Sequence, residues 1–390
     1  MSGIKGFPAK GFLARLGCAI GVLAIVGGLL AGAVFAEGKG LPAGTPSPGN
    51  IARDPVTGKI KLVPPKAEIH VCADMKQDAA CNTGSLQSAL SAIAPGGVVV
   101  LHPGDYRQAA HIRQNGTRLR ALPGAALVGV AAGRKAALVV TANDVVIEGL
   151  ACSGISVRDR NGACIRLEGM NLTLRRVHFY DSESGLLASR NTGSILIEDS
   201  RFENLGKAGR AHGIYVNSGE LIIRRSVFIA SKDEGHEIKS RAARTVIEDC
   251  VVASLDGRDS FLIDVPNGGE AIIRRNLLQE GPASVNYHAV AFATEGDKYE
   301  NSRITIKDNV ILMERRFSII VRAKGHAANF ERNVVIGESG MYKFGAVNAA
   351  CGRSGNICAP TAAKARERRT LPLPRIDNLD SILAETGLLR

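Results

Sequence analysis

One short pattern recurs between about residues 140 and 335: two or three apolar residues, two polar ones, a small or polar residue, then apolar residues again. Its copies include Val146-Ile147-Glu148-Gly149-Leu150, Leu196-Ile197-Glu198-Asp199-Ser200, Ile222-Ile223-Arg224-Arg225-Ser226 and Ile272-Ile273-Arg274-Arg275-Asn276. With Ile147, Leu174, Ile197, Ile223, Ile247, Ile273, Ile306 and Phe330 as markers, the successive spacings are 27, 23, 26, 24, 26, 33 and 24 residues. Units of that size cannot bury an apolar face alone and must stack on one another. Each unit consists of short runs of Ile, Val and Leu broken by Gly, Asn, Asp and Ser, too interrupted for a pair of helices. The pattern therefore predicts a parallel β-helix whose coils lie ~4.8 Å apart. Aromatic residues make up only 4% of the chain while glycine reaches 44, which suits a narrow aliphatic core with tight corners. At 45% apolar and 22% charged residues, the chain is neither a disordered tail nor a multi-span membrane protein.

The ends of the chain have a different character. Lys5, Lys10 and Arg15 precede an apolar run from Leu16 to Phe35, and Val34 and Ala36 occupy the small-residue positions of a cleavage site. Residues 1–36 read as a secretory signal peptide that leaves a chain starting at Glu37, with an uncleaved membrane anchor as the alternative. Either way the folded part is expected in the periplasm or outside the cell, with the membrane touched only through this segment. Residues 37–66 are rich in Gly and Pro and read as a linker. At the other end, residues 346–390 are expected to form a C-terminal cap followed by a basic tail. The run Lys364-Ala365-Arg366-Glu367-Arg368-Arg369 reads as a solvated face and not as a nucleic-acid contact. Leu379-Asp380-Ser381-Ile382-Leu383 reads as a short helix.

Cysteine usage fits an oxidising compartment. Six cysteines form sequence-local pairs, Cys72/Cys81, Cys152/Cys164 and Cys351/Cys358, each able to close a short loop. No CxxC and no nearby histidine spacing favours metal ligation instead. Cys250, inside an apolar run, reads as a buried free thiol.

The segment Ser85–Tyr106, SLQSALSAIAPGGVVVLHPGDY, reads as a short helix stopped by Pro95-Gly96-Gly97 and followed by a strand and turn. A helix over the open end of a coil stack protects its edge. Together with the ~25-residue coils, this segment resembles the start of the pectin-lyase-like superfamily. The resemblance spans residues 67–345 and implies an all-β, right-handed parallel β-helix of about eight to ten coils with an N-terminal capping helix. It does not by itself imply a reaction.

A second strand follows each marker by 11–17 residues, as in His212–Asn217, His236–Arg241, Phe261–Asn267, His288–Phe292 and Phe317–Arg322. With Ile214, Ile238, Ile263, Val290 and Ile319 inward, period-two alternation sends Tyr215, Asn217, Glu237, Lys239, Arg241 and Asp264 outward on three consecutive coils. Asn267 lies at the Gly-rich corner beside Asp264. His212, His236 and His288 have two open placements: inward in line with Phe261 and Phe317, or at a corner facing the groove. The pairs Arg175-Arg176, Arg224-Arg225 and Arg274-Arg275 lie on another strand and read as a structural charge ladder.

A mixed cluster of Lys, Arg, Asp and Tyr on a solenoid face suits an acidic sugar chain, and the formal charge of +12 favours an anionic partner. The chemistry it could carry is β-elimination on a uronate, with a cation neutralising the carboxylate, Lys239 as base and Tyr215 or His236 as acid. His212, Asn217, Glu237, Asn267 and His288 would then contact substrate. The Lys239-Ser240 strand resembles the catalytic-lysine strand of alginate- and chondroitin-degrading β-helix lyases. Those lyases place an Arg on the next coil, where this chain has Asp264, and their calcium ligands have partial counterparts in Asp233, Glu234 and Glu237. Epimerisation shares the first proton transfer. A paired-carboxylate hydrolase is disfavoured because Asp264 has no neighbouring Asp on its strand. A non-catalytic polysaccharide-binding protein, and a monomeric state, complete the expectations.

Overall fold

The computed structural model describes residues 50–53, 60–63, 66–75 and 80–390. The segment expected to be a signal peptide lies outside the described residues. Within the expected linker, the strands Asn50–Arg53 and Ile60–Val63 pair antiparallel. Among the described residues no helix is long and apolar enough to cross a membrane.

From Lys66 onward the chain winds into three parallel sheets of 11, 11 and 10 strands, each coil giving one strand to each sheet. The stack therefore has about 11 turns, more than the eight to ten expected. The extra turns come from both ends, where the apolar pattern is weakest: Lys66–Val71 opens the first sheet and Ile357–Ala359 closes the second. The helix α1, Leu86–Ala92, begins at Ser85, whose hydroxyl accepts from the Ser88 amide, and buries Leu86, Ala89 and Leu90 against the first coils.

Inward residues of all three sheets form one core, with Phe179 meeting Phe202 edge to face and Phe202 stacked on Phe228 on successive coils. The corner after the first sheet is sharp, and Arg176, Asp199, Arg225, Asp249, Arg275, Asp308 and Arg332 all adopt positive φ there. Short polar residues or glycine favour that conformation, so arginine at these corners implies compensation. Alternating charge supplies it. Arg225 pairs with Asp199 at 2.6 Å, Arg275 with Asp249 at 2.7 Å and Arg332 with Asp308 at 2.7 Å. The arginine pairs thus form the structural ladder expected, with Glu248 bridging Arg224 at 2.8 Å and Arg275 at 3.1 Å.

Cys72–Cys81, Cys152–Cys164 and Cys351–Cys358 are disulfides, and Cys250 is a buried free thiol whose pKa burial pushes up to about 12. The C-terminal segment caps the stack through its apolar residues, while Lys364, Arg366, Glu367 and Arg368 stay exposed. The helices α2, Ala362–Arg368, and α3, Leu379–Thr386, pack through Ala362, Ala365, Leu371, Ile382, Leu388 and Leu389 on an apolar stripe of the second sheet. That stripe, including Val227, Val251, Leu277, Val310 and Val334, is the outer face of strands that are apolar on both sides. The end of the basic run is anchored by Arg369, which donates to the Gly355 carbonyl at 3.0 Å, while Lys364 and Glu367 pair with each other at 2.9 Å on the exposed face of α2.

Candidate functional site

The third sheet carries the strands Ile214–Val216, Ile238–Ser240, Ile263–Val265, His288–Phe292 and Ser318–Ala323 in adjacent positions. Their outward row runs in register from Leu187 through Tyr215, Lys239, Asp264 and Ala291 to Arg322. Period-two alternation thus brings Tyr215, Lys239 and Asp264 side by side. The Lys239 Nζ lies 2.9 Å from Asp264 Oδ2, 3.3 Å from His236 Nε2 and 5.8 Å from the centre of the Tyr215 ring.

Asp264 is almost fully buried, and one of its carboxylate oxygens has no partner. Burial raises its pKa, and it outweighs the opposing pull of Lys239. His236 Nε2 sits 3.5 Å from Asp264 Oδ2, and burial together with the charges of His212, Lys239 and Arg241 holds its pKa well below the usual value. His212 is pushed down to about 3, again chiefly by burial. Its Nδ1 accepts from the His236 amide at 3.1 Å, which places the proton on Nε2 of the neutral ring.

The two open placements of the histidines resolve into one ladder. His212 stacks on His236 at 4.4 Å, His236 meets Phe261 at 5.1 Å, and Phe261 meets His288 at 6.2 Å. His236 also reaches the charged row, so it belongs to the ladder and the site together. Phe317, expected in line with these rings, is instead 76% exposed. His288 is held by Asn286 Oδ1 at 3.0 Å, two coils from Lys239.

Arg241 occupies the next outward position and organises the groove. Its Nε donates to the Tyr215 hydroxyl at 2.8 Å and one terminal nitrogen donates to Asn267 Oδ1. Glu295 accepts two further bonds from it, at 2.7 and 2.9 Å, and this pairing holds the Glu295 carboxyl below its ordinary range. Glu295 comes from the long insertion between two coils, which is anchored by Tyr299 donating to the Arg241 carbonyl at 2.7 Å and by Lys298 N donating to Asn267 O at 2.9 Å. A groove of about 470 Å³ opens here, lined by Arg190, Tyr215, Asn217, Arg241, Lys298 and Tyr299 among others. Asn217 is fixed by its amide donating to the Ala188 carbonyl at 2.7 Å.

Glu237 is not on this face. It is buried, and Ser231 donates to it from its amide at 2.6 Å and from its hydroxyl at 2.8 Å. The strand starts only at Ile238, so alternation does not extend back through Glu237, which turns inward while His236 turns out. This corrects the expectation that Glu237 contacts substrate. The same geometry answers the calcium question. Asp233 is a turn residue paired with Lys207 at 3.1 Å, Glu234 is exposed, and Glu237 is taken up by Ser231. Among the described residues, these three do not converge as a ligand group, so they do not fit a calcium ion.

Sequence reasoning missed Glu295, and it missed the buried carboxyls of Asp259 and Glu280. The 33-residue spacing between Ile273 and Ile306 signalled an insertion, yet not which of its side chains reaches back.

A family model described as a right handed beta helix region matches residues 130–277. Among solved structures, the chain is similar to an alginate lyase from Paenibacillus sp. str. FPU-7, with a TM-score of 0.56 and 21% identity over 72% of this chain and 99% of that one. It is also similar to pectate lyase Pel9A, with a TM-score of 0.53 and 15% identity over 75% of this chain and 80% of that one. No curated protein matches. These likenesses are of fold: the chain is a right-handed parallel β-helix, as the alginate lyase and the pectate lyase are.

Proposed function

We propose that the protein is a carbohydrate-active β-helix enzyme that cleaves uronate-containing acidic polysaccharide by β-elimination. The observation that carries the proposal is the placement of the Lys239 amine between a neutral histidine, a buried carboxyl of raised pKa and a tyrosine held by arginine. The structural neighbours named as lyases of alginate and pectate support the substrate class.

The chemistry follows from the charges. Arg241 and Lys298 draw the uronate carboxylate into the groove, and neutralising it acidifies the ring proton beside it. Asp264 and His236 fix the Lys239 Nζ beside the Tyr215 ring that lines the groove, and the free-amine form of Lys239 is the base. That amine removes the ring proton. The electron pair left behind forms the carbon–carbon double bond, and the bond to the leaving sugar oxygen breaks. The Tyr215 oxygen already accepts from Arg241, so its own O–H is free to protonate that oxygen. An epimerase would share the proton abstraction and return the proton to the opposite ring face.

The test is to incubate the purified protein with a panel of acidic polysaccharides, with and without calcium, and follow the ultraviolet absorbance of new unsaturated uronate ends. A rise on at least one polymer is expected, independent of calcium. No rise on any polymer that the protein binds would overturn the lyase reading and leave epimerisation or binding alone.

A further inference from the structure

The charged row and the aromatic ladder both continue past the residues used above. Beyond Asp264 the outward row passes through the small Ala291 to Arg322, which is exposed. Alongside it, the ladder from His236 through Phe261 to His288 ends on Tyr287, whose ring lies 4.6 Å from that of His288. On the next coil stands Phe317, and the Tyr287 carbonyl accepts from the Ile319 amide at 2.6 Å, so the two segments are neighbours. The ladder that is buried beside Lys239 therefore surfaces here.

Tyr287 and Phe317 are two of only five large apolar side chains exposed among the described residues, at 48% and 76%. Each carries a guanidinium over its ring: Arg315 at 5.5 Å from the Tyr287 centre and Arg316 at 5.9 Å from that of Phe317. Arg316 and Arg322 form no ion pair among the described residues, which sets them apart from the fully paired arginines of the corner ladder. Phe317 also sits at φ 60°, a conformation that an aromatic residue adopts at a cost. The ring it presents is open to solvent apart from the Arg316 guanidinium over it.

We infer that Tyr287, Phe317, Arg316 and Arg322 form a second subsite for the acidic polysaccharide, about three strand spacings, ~14 Å, from Lys239. It rests on the function proposed above for its substrate class. Flat aromatic faces receive the C–H face of a sugar ring, and unpaired guanidiniums receive its carboxylate. One chain lying along the sheet, across successive coils, contacts the groove and this platform together. The subsite thus makes the protein a reader of chain length: oligomers that span both places bind through both, and short ones bind only at the groove.

The test is calorimetric titration with a uronate trimer, a uronate octamer and a neutral glucan octamer, in a Lys239→Ala background so that nothing is cleaved. Phe317→Ser and Arg322→Ala are both surface changes, and circular dichroism checks that the fold is kept. Each is expected to weaken octamer binding by ~10-fold while leaving the trimer unchanged. Equal loss for trimer and octamer, or no loss for either, overturns the subsite. A Phe317-dependent loss of the same size with neutral glucan overturns its acidic character. If the unsubstituted platform protein binds no uronate oligomer at any length, the proposed function itself fails, which is a separate result from a variant without effect.

Discussion

Asp259 offers a quantitative test of how the charged strands are supported. It lies in the turn between the strands Val251–Ala253 and Ile263–Val265, buried, with one carboxylate oxygen receiving the Ser254 hydroxyl at 3.0 Å and the other without a partner. Burial raises its pKa from 3.8 to about 6, and Glu237 and Glu280 are raised well above their ordinary value by their own burial first and by the Asp259 charge second. The folded state therefore keeps a proton that the unfolded chain releases, and stability is fully present below about pH 4, then falls as pH rises to about 6. A difference of about two pKa units corresponds to ~3 kcal/mol of stability lost above that window. Asp259→Asn keeps the shape and cannot ionise. At pH 8 the variant should be more stable than the native protein by ~1–3 kcal/mol, the lower figure allowing for an unsatisfied amide N–H. At pH 4 the difference should vanish or change sign. Urea unfolding followed by circular dichroism across this pH range measures it, and a gap that does not change with pH would refute the reasoning.

Other outcomes follow from the site. Tyr215→Phe should slow cleavage by ~100–10,000-fold, as expected for loss of a proton donor, while exchange of the substrate ring proton with solvent persists. Loss of both together, seen by proton NMR, would remove Tyr215 from the acid role. Glu295→Gln frees the Arg241 guanidinium from its internal carboxylate and should tighten uronate binding by ~3–10-fold in calorimetry. Unchanged or weaker binding would mean that Glu295 positions Arg241 and does not compete with substrate. Replacing Cys152 and Cys164 by serine opens a loop of 12 residues and should destabilise the protein by ~3 kcal/mol in denaturant titration. No change would show that the coil geometry alone closes that loop.

The sequence conveyed the architecture because a coil stack repeats its constraints. Each coil must place an apolar residue inward at the same register, so Ile147, Leu174 and Ile197 announce the period before any contact is known. The same alternation placed Tyr215, Lys239 and Asp264 in one row. It failed at Glu237, because alternation holds only inside a strand and that strand begins one residue later. The docked C-terminus left a signal that the chain ends alone did not carry. Val227-Phe228-Ile229 and Val334-Val335-Ile336 are apolar on both faces, and a strand buried on both faces needs a cover. Glu295 was not legible by any such rule. Its reach to Arg241 depends on how an irregular insertion is anchored by Tyr299 and Lys298.

The central claim is that Lys239 removes the proton beside the uronate carboxylate. The most direct measurement is exchange of that ring proton in deuterium oxide, followed by NMR on a bound oligomer for the native protein and for Lys239→Ala. The account requires loss or exchange of the proton with native protein, and neither with the variant, although the variant still binds. Exchange that continues without Lys239, or native protein that binds the oligomer and leaves the proton untouched, would contradict it.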